Sequence, residues 1–212
     1  MTVSHLPRRI GIIGTGRVAR TFAGAWRSAG HTVVLGSRTP AGGTVGLDQA
    51  VTGADVVVNA TPGRVSVEAL SAVNPDAWDG SVLIDLANAV TPAFGLVYPD
   101  GSLAERLQAA LPNTRVVKSL NTAAMTVLAN PASLEPASVF VSGDDPGAKA
   151  VVAALLRDLG WTDDGIIDLG PLSSARAAEH FFLMFAALMQ VRGRDFNVRV
   201  VGPAASRPPC PS

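Results

Sequence analysis

Cysteine is all but absent: the one residue, Cys210, sits in a proline-rich tail. No intrachain disulfide and no cysteine metal cluster can form. The three histidines, His5, His31 and His180, stand far apart and no pair has metal-ligand spacing, so no metal site is expected. An excess of one charge is lacking as well. Seventeen Lys and Arg balance seventeen Asp and Glu, which gives no footing to nucleic acid or an anionic membrane as partner. Long hydrophobic runs are missing. The longest uncharged apolar stretch, Phe181 to Val191, falls short of the roughly 20 residues that a bilayer demands. After Arg8 and Arg9 only Ile-Gly-Ile-Ile precedes the first glycine turn, too little for a signal-peptide core. The expectation is a soluble cytoplasmic protein.

What is present is apolar and regularly punctuated. Of 212 residues, 48% are hydrophobic, enough for one folded domain or one with an appendage. Strand-like runs, "RRIGIIG", "HTVVLGS", "ADVVVNATP", "GSVLIDLAN", "TRVVKSLN" and "ASVFVSG", alternate with helical segments. Several strands are continuously apolar, as in a parallel sheet covered on both faces. The fold class is α/β, a doubly wound, mostly parallel sheet. Beyond "DLGPL" the pattern changes to one long helix, apolar nearly all round past His180. Such a helix is normally buried, against the sheet, a second subunit or both. Residues 8–170 read as a dinucleotide-binding domain, 171–200 as a helical segment that closes the pocket or meets a partner, and 201–212 as a disordered tail.

Gly14-Thr15-Gly16-Arg17-Val18-Ala19 fits G-x-G-x-x-[GA], follows a strand and opens a helix, the context a dinucleotide fingerprint needs. Gly14 permits the tight turn, Gly16 lets a pyrophosphate approach the backbone, and Ala19 lets helix and strand pack closely. The helix N-terminus then offers free N–H groups and partial positive charge. The second strand ends in Gly36-Ser37-Arg38-Thr39. An NAD site usually carries Asp or Glu near this point to grip the ribose 2′-hydroxyl. Here two hydroxyls and a guanidinium stand instead, a set that attracts a 2′-phosphate. The cofactor expected is NADP(H).

The ordered set "IGIIGTGRVARTFAGAWRSAGHTVVLGSR", "VVKSLNT", "VFVSGDD" and "DLGPLSSARAAE" resembles the family of coenzyme F420-dependent NADP oxidoreductases, from about Arg9 to Phe196. The resemblance implies a compact Rossmann NAD(P)-binding domain, a small C-terminal helical part, a homodimer, and hydride transfer between NADP and a deazaflavin. It implies that Thr15, Arg17, Val18, Ser37, Arg38 and Thr39 hold NADP. Ala60, Thr61 and Pro62 would line it, as would Ala87 and Asn88 at the next strand end. Asn121 and Thr122, with Thr61, would face the second substrate, and Gly170, Pro171 and Leu172 would close the pocket. No catalytic residue is assigned. A relative with an attached membrane ferric reductase is not expected, for want of a span.

Two departures from the family pattern stand out. Pro40, Gly42, Gly43 and Gly46 leave no room for a helix between the second and third strands, which should open the adenine side. Gly63 follows Pro62 where many relatives carry an aromatic residue, which should widen the second ligand's site. Proton donors are few: Tyr98, the single tyrosine, reads as a solvated loop residue, Lys118 as a strand-edge lysine, His180 as a helix-capping or interface residue. Their scarcity favours transfer between two bound cofactors, where positioning matters most. An NADPH-dependent reductase of a small imine, ketone or activated alkene stays open, as does a non-catalytic NADP(H)-binding module. Among other polar groups, Asp144 and Asp145 should cap the helix at Pro146. Asp85 should orient Asn88 or a water, Arg176 and Glu179 should pair at i,i+3, and His31 should be solvated. Trp26, Trp78 and Trp161 read as packing residues.

Overall fold

The structure is a computed structural model that describes residues 6–78, 80–134 and 137–202. His5, Cys210 and most of the tail therefore lie outside the described residues. Seven strands form one sheet: β1 (Arg9–Ile13), β2 (Thr32–Gly36), β3 (Val56–Asn59), β4 (Val82–Asp85), β5 (Arg115–Ser119), β6 (Val139–Gly143) and β7 (Ile166–Asp168). Their spatial order is β2-β1-β3-β4-β5-β6-β7. The first five run parallel. β6 is antiparallel to β5, with Val117 opposite Gly143, and β7 follows β6 in parallel. This is the doubly wound, mostly parallel, Rossmann-like sheet expected, with a helical C-terminal part. β7 was not read from the sequence: it is a three-residue edge strand of which no residue is fully buried.

Helices cover both faces: α1 (Arg17–Ser28), α2 (Leu47–Val51), α3 (Gly63–Ser71), α4 (Leu103–Ala110), α5 (Met125–Leu128), α6 (Pro146–Asp158) and α7 (Ala175–Arg192). In α1, Ala19, Phe22, Ala23 and Trp26 are buried, a spacing of three and four that lays one stripe on the sheet. Burying a side chain such as Phe22 contributes about 1.5–3 kcal/mol. Trp26 donates its indole N–H to Leu155 O at 3.3 Å, and Trp161 to Leu128 O at 3.0 Å. All three tryptophans are core residues.

α2 corrects the expectation of a missing helix. The glycines at 42, 43 and 46 precede it and do not interrupt it, and Gly46 is its N-cap. It is held by tertiary contact. A Cβ on Gly11 would stand 2.9 Å from Ala50 C, and one on Gly36 2.8 Å from Ala50 Cβ, so bare backbone on β1 and β2 seats the helix. The Arg9 guanidinium then donates to Gln49 O and Thr52 O at its C-terminal end.

Other polar expectations change. His31 is buried: its Nδ1 accepts from Arg8 N at 3.1 Å, and Nε2 lies 3.0 Å from Asp158 Oδ2. Asp145 caps α6 through Ala148 N, but Asp144 accepts instead from Leu172 N at 2.8 Å. Arg176 does not pair with Glu179. It donates to Pro99 O, while Glu179 turns inward. α7 is buried only at Ala175, Ala178 and Glu179; farther on, Leu183 and Met184 are 49% and 56% exposed.

Candidate functional site

The sheet order reverses between β1 and β3, where open α/β sheets bind ligands outside the carboxyl ends of the strands. A cleft of about 610 Å³ lies there, lined by residues 13–18, 36–39 and 60–62 together with Leu47, Val65 and Ala69. The glycine turn, the second-strand loop and the third-strand end thus meet in one place.

Gly14 stands at φ +126°, and a Cβ there would lie 2.7 Å from Ala60 O. Only glycine fits that conformation and that approach. Its N–H donates to Gly36 O at 3.1 Å, and Arg20 Nε braces the turn by donating to Thr15 O at 3.0 Å. Gly16 is the N-cap of α1, without a side-chain capping bond and without an acidic residue in the first turn. The first N–H groups of the helix therefore face the cleft unclaimed by any side chain. A Cβ on Gly16 would meet nothing within 4 Å, so the space over the turn is open. The donor set suits a phosphate pair.

The loop after β2 is preformed. Ser37 N donates to Val45 O at 2.8 Å, and Thr39 N to Ser37 Oγ at 3.1 Å. This small turn projects Arg38 and Thr39, both exposed. Arg38 has no ion-pair partner among the described residues. No carboxylate lines the cleft, so nothing in its lining repels an anion beside Arg38.

On the far side, Thr61 is fixed at the floor: its N–H and its hydroxyl both donate to Asn59 Oδ1, at 3.1 and 2.7 Å. Ala87 and Asn88 follow β4, and Asn121 and Thr122 follow β5, on the same edge of the sheet. Leu120 between them adopts φ +56°, a left-handed turn that costs about 1–2 kcal/mol for such a residue. It turns Asn121 back so that Nδ2 donates to Asn88 Oδ1 and Ala178 O, both at 3.0 Å. Asn121 Oδ1 and Thr122 Oγ1 are buried with no partner. Gly63 does not widen the site. A Cβ there would lie 2.6 Å from Ala89 N, because the backbone of residues 88–89 fills the space. Gly170, Pro171 and Leu172 do not line the cleft, and neither do Ala87, Asn88, Asn121 or Thr122. Since β6 runs against β5, the segment after β7 leaves toward the amino half of β5, where Gly143 N donates to Gly170 O.

Sequence reading missed the most buried charges. Lys118 is no strand-edge residue: its side chain is 0% exposed. Nζ lies 2.8 Å from Asp85 Oδ2 and 3.1 Å from Glu179 Oε1, and also donates to Ala87 O. Burial alone would push its pKa down, but the two carboxylates outweigh it and hold it above the usual lysine value. Asp85 does not orient Asn88; its Oδ1 accepts from Asn59 Nδ2 at 2.8 Å and Ala87 N at 3.1 Å. Tyr98 is half-buried in its loop, with Arg106 5.6 Å above its ring. His180 Nε2 is buried without a partner. Among the described residues no three His, Cys, Asp or Glu gather as a metal site, and no helix is long and apolar enough to cross a membrane.

Residues 9–89 match the family model described as NADP oxidoreductase, coenzyme F420-dependent. The solved structure of a proposed F420-dependent NADP reductase from Arthrobacter sp. FB24 is 34% identical, with a TM-score of 0.87 over 92% of this chain and 100% of that one. The F420-dependent NADP reductase of Methanocaldococcus jannaschii is 26% identical over 69% of this chain and 67% of its own length. The rat metalloreductase STEAP3 is 30% identical over 81% of this chain, which spans only 36% of that protein.

Proposed function

Since the chain belongs to the family of coenzyme F420-dependent NADP oxidoreductases, we propose that it transfers a hydride between NADP(H) and a second bound molecule, the deazaflavin coenzyme F420. The carrying observation is the cleft itself, where an uncapped helix N-terminus and an acid-free loop bearing Arg38 share one wall.

The dinucleotide, when bound, supplies the carbon that gives or takes hydride. The chain's part is to hold it. The amides at Arg17 and Val18 meet the pyrophosphate, and Gly16 leaves the path to them open. Arg38 and Thr39 take the 2′-phosphate, with Ser37 fixing their turn. With the phosphoribose held at the loop after β2, Thr61 at the end of β3 and Ala87 and Asn88 after β4 would be the residues to border the nicotinamide. Asn121 and Thr122 then border the second ligand. Hydride transfer between two carbons held roughly 3–3.5 Å apart draws most of its acceleration from orientation; the one proton that the deazaflavin ring gains or loses with it can exchange with solvent, so the chain need not supply a donor. No Asp, Glu, His or Lys lines the cleft, which fits that chemistry. A small-substrate reductase loses its motive, because the room expected at Gly63 is filled.

The exposed apolar stretch of α7, with Leu183, Met184 and the Phe94–Phe182 pair at 6.2 Å, supports a homodimer, which sedimentation would read directly. The test of function is twofold. Calorimetry should give much tighter binding of NADPH than NADH. Mixing NADPH with purified oxidised deazaflavin should then bleach the deazaflavin absorbance. Tight NADPH binding without that bleaching rejects the second substrate; equal binding of NADH rejects the cofactor.

A further inference from the structure

The buried cluster beneath the cleft does more than fill the core. Asp85 ends β4, Lys118 lies in β5 and Glu179 projects from α7, with side-chain exposures of 0%, 0% and 6%. The ammonium spends its three N–H bonds on Asp85, Glu179 and Ala87 O. Two carboxylates face one ammonium. The surplus negative charge is met by the N-terminus of α4, where Leu103 N and Ala104 N donate to Glu179 at 2.8 and 3.2 Å and the helix end carries partial positive charge. Ser102 serves the next free amide, Glu105 N. From Asp85 a chain of bonds runs through Asn59 to the amide and hydroxyl of Thr61, and on to Ser66 at 2.8 Å.

A buried ion cluster is no stronger than well-packed apolar side chains of the same volume. What it supplies is direction: each bond fixes one backbone group. The groups fixed here are Thr61 N, in the lining of the cleft, and Ala87, just past the end of the adjacent strand β4.

We infer that Lys118 is a positioning residue for hydride transfer: through Asp85 and Asn59 it sets Thr61, through its own bond it sets Ala87, and through Glu179 it locks both to α7. This rests on the NADP reading of the cleft. The pyrophosphate and 2′-phosphate contacts lie on other elements, so the network governs the angle of the reacting ring and leaves the grip on the cofactor alone.

Glu179→Gln tests it, since the amide keeps an acceptor for α4 and spares the Lys118–Asp85 pair. The expected result is a kcat with NADPH and deazaflavin lowered about 10- to 100-fold, with the KM for NADPH unchanged. The fluorescence of bound NADPH should shift, and amide hydrogen exchange should quicken at Thr61 and Ala87. Asn59→Ala leaves all three charges in place and should loosen Thr61 alone. Exchange is read without dinucleotide, so it judges the network independently of the cofactor. A lowered melting temperature with exchange at both amides, bound-NADPH fluorescence and kcat unaltered overturns the proposal. A wild-type chain that binds no NADPH in calorimetry overturns the reading of the cleft, and this proposal with it.

Discussion

A Cβ placed on Gly63 would lie 2.6 Å from the amide nitrogen of Ala89. The first turn of α3 and the exit of β4 therefore touch backbone to backbone, with no side chain between them. Gly63→Ala should destabilise the fold by about 1–3 kcal/mol, the usual cost of overpacking, as read by urea denaturation. An aromatic residue at 63 should cost more, and should not restore a stacking surface in the cleft.

Arg38 stands exposed and unpaired at the tip of its turn. Arg38→Ala should weaken NADPH binding by about 10- to 100-fold, the worth of one charge-assisted hydrogen bond at 1.5–3 kcal/mol, and leave NADH binding as it was. Calorimetry with the two dinucleotides gives both numbers. Equal losses for both would remove the 2′-phosphate from the guanidinium.

The two glycines of the turn should respond differently. Gly14→Ala must strain a backbone at φ +126° and drive into Ala60 O, so stability falls. Gly16→Ala meets no protein atom and sits at φ −74°, so the fold keeps its melting temperature. Under the proposed function its methyl group would stand in the path of the phosphates, and NADPH affinity alone should drop.

Lys118 has a folded-state pKa above the ordinary 10.5, because its carboxylate partners outweigh desolvation. Its contribution to stability is therefore whole below about 10.5 and is lost as pH climbs through the folded value. Urea denaturation followed into that alkaline range should show the loss. Lys118→Met should lack this dependence and be less stable by about 3–5 kcal/mol at neutral pH, since two carboxylates stay buried without their cation.

What could be read from the sequence was what is local. The strand, glycine turn and amphipathic α1 are specified within one short window, and the acid-free loop after β2 is visible as residue types. α2 was hidden because no cap or periodicity announces five residues; its seat on Gly11 and Gly36 comes from distant chain. His31 looks solvated until Asp158 arrives 127 positions on. Lys118, Asp85 and Glu179 carry no common motif, and Glu179 reaches Leu103 across 76 positions. The β6 reversal has no signal in hydrophobic pattern, since a buried strand reads alike in either direction. That reversal moved Gly170 to Leu172 from the ligand edge.

The bare seat under α2 narrows how this protein could be re-engineered. Gly11 and Gly36 admit no larger residue beneath Ala50, so the platform beside the β2 loop cannot be reshaped from below. Anyone wishing to switch its coenzyme preference must work at the rim, on Ser37, Arg38 and Thr39, with the foundations left as they are.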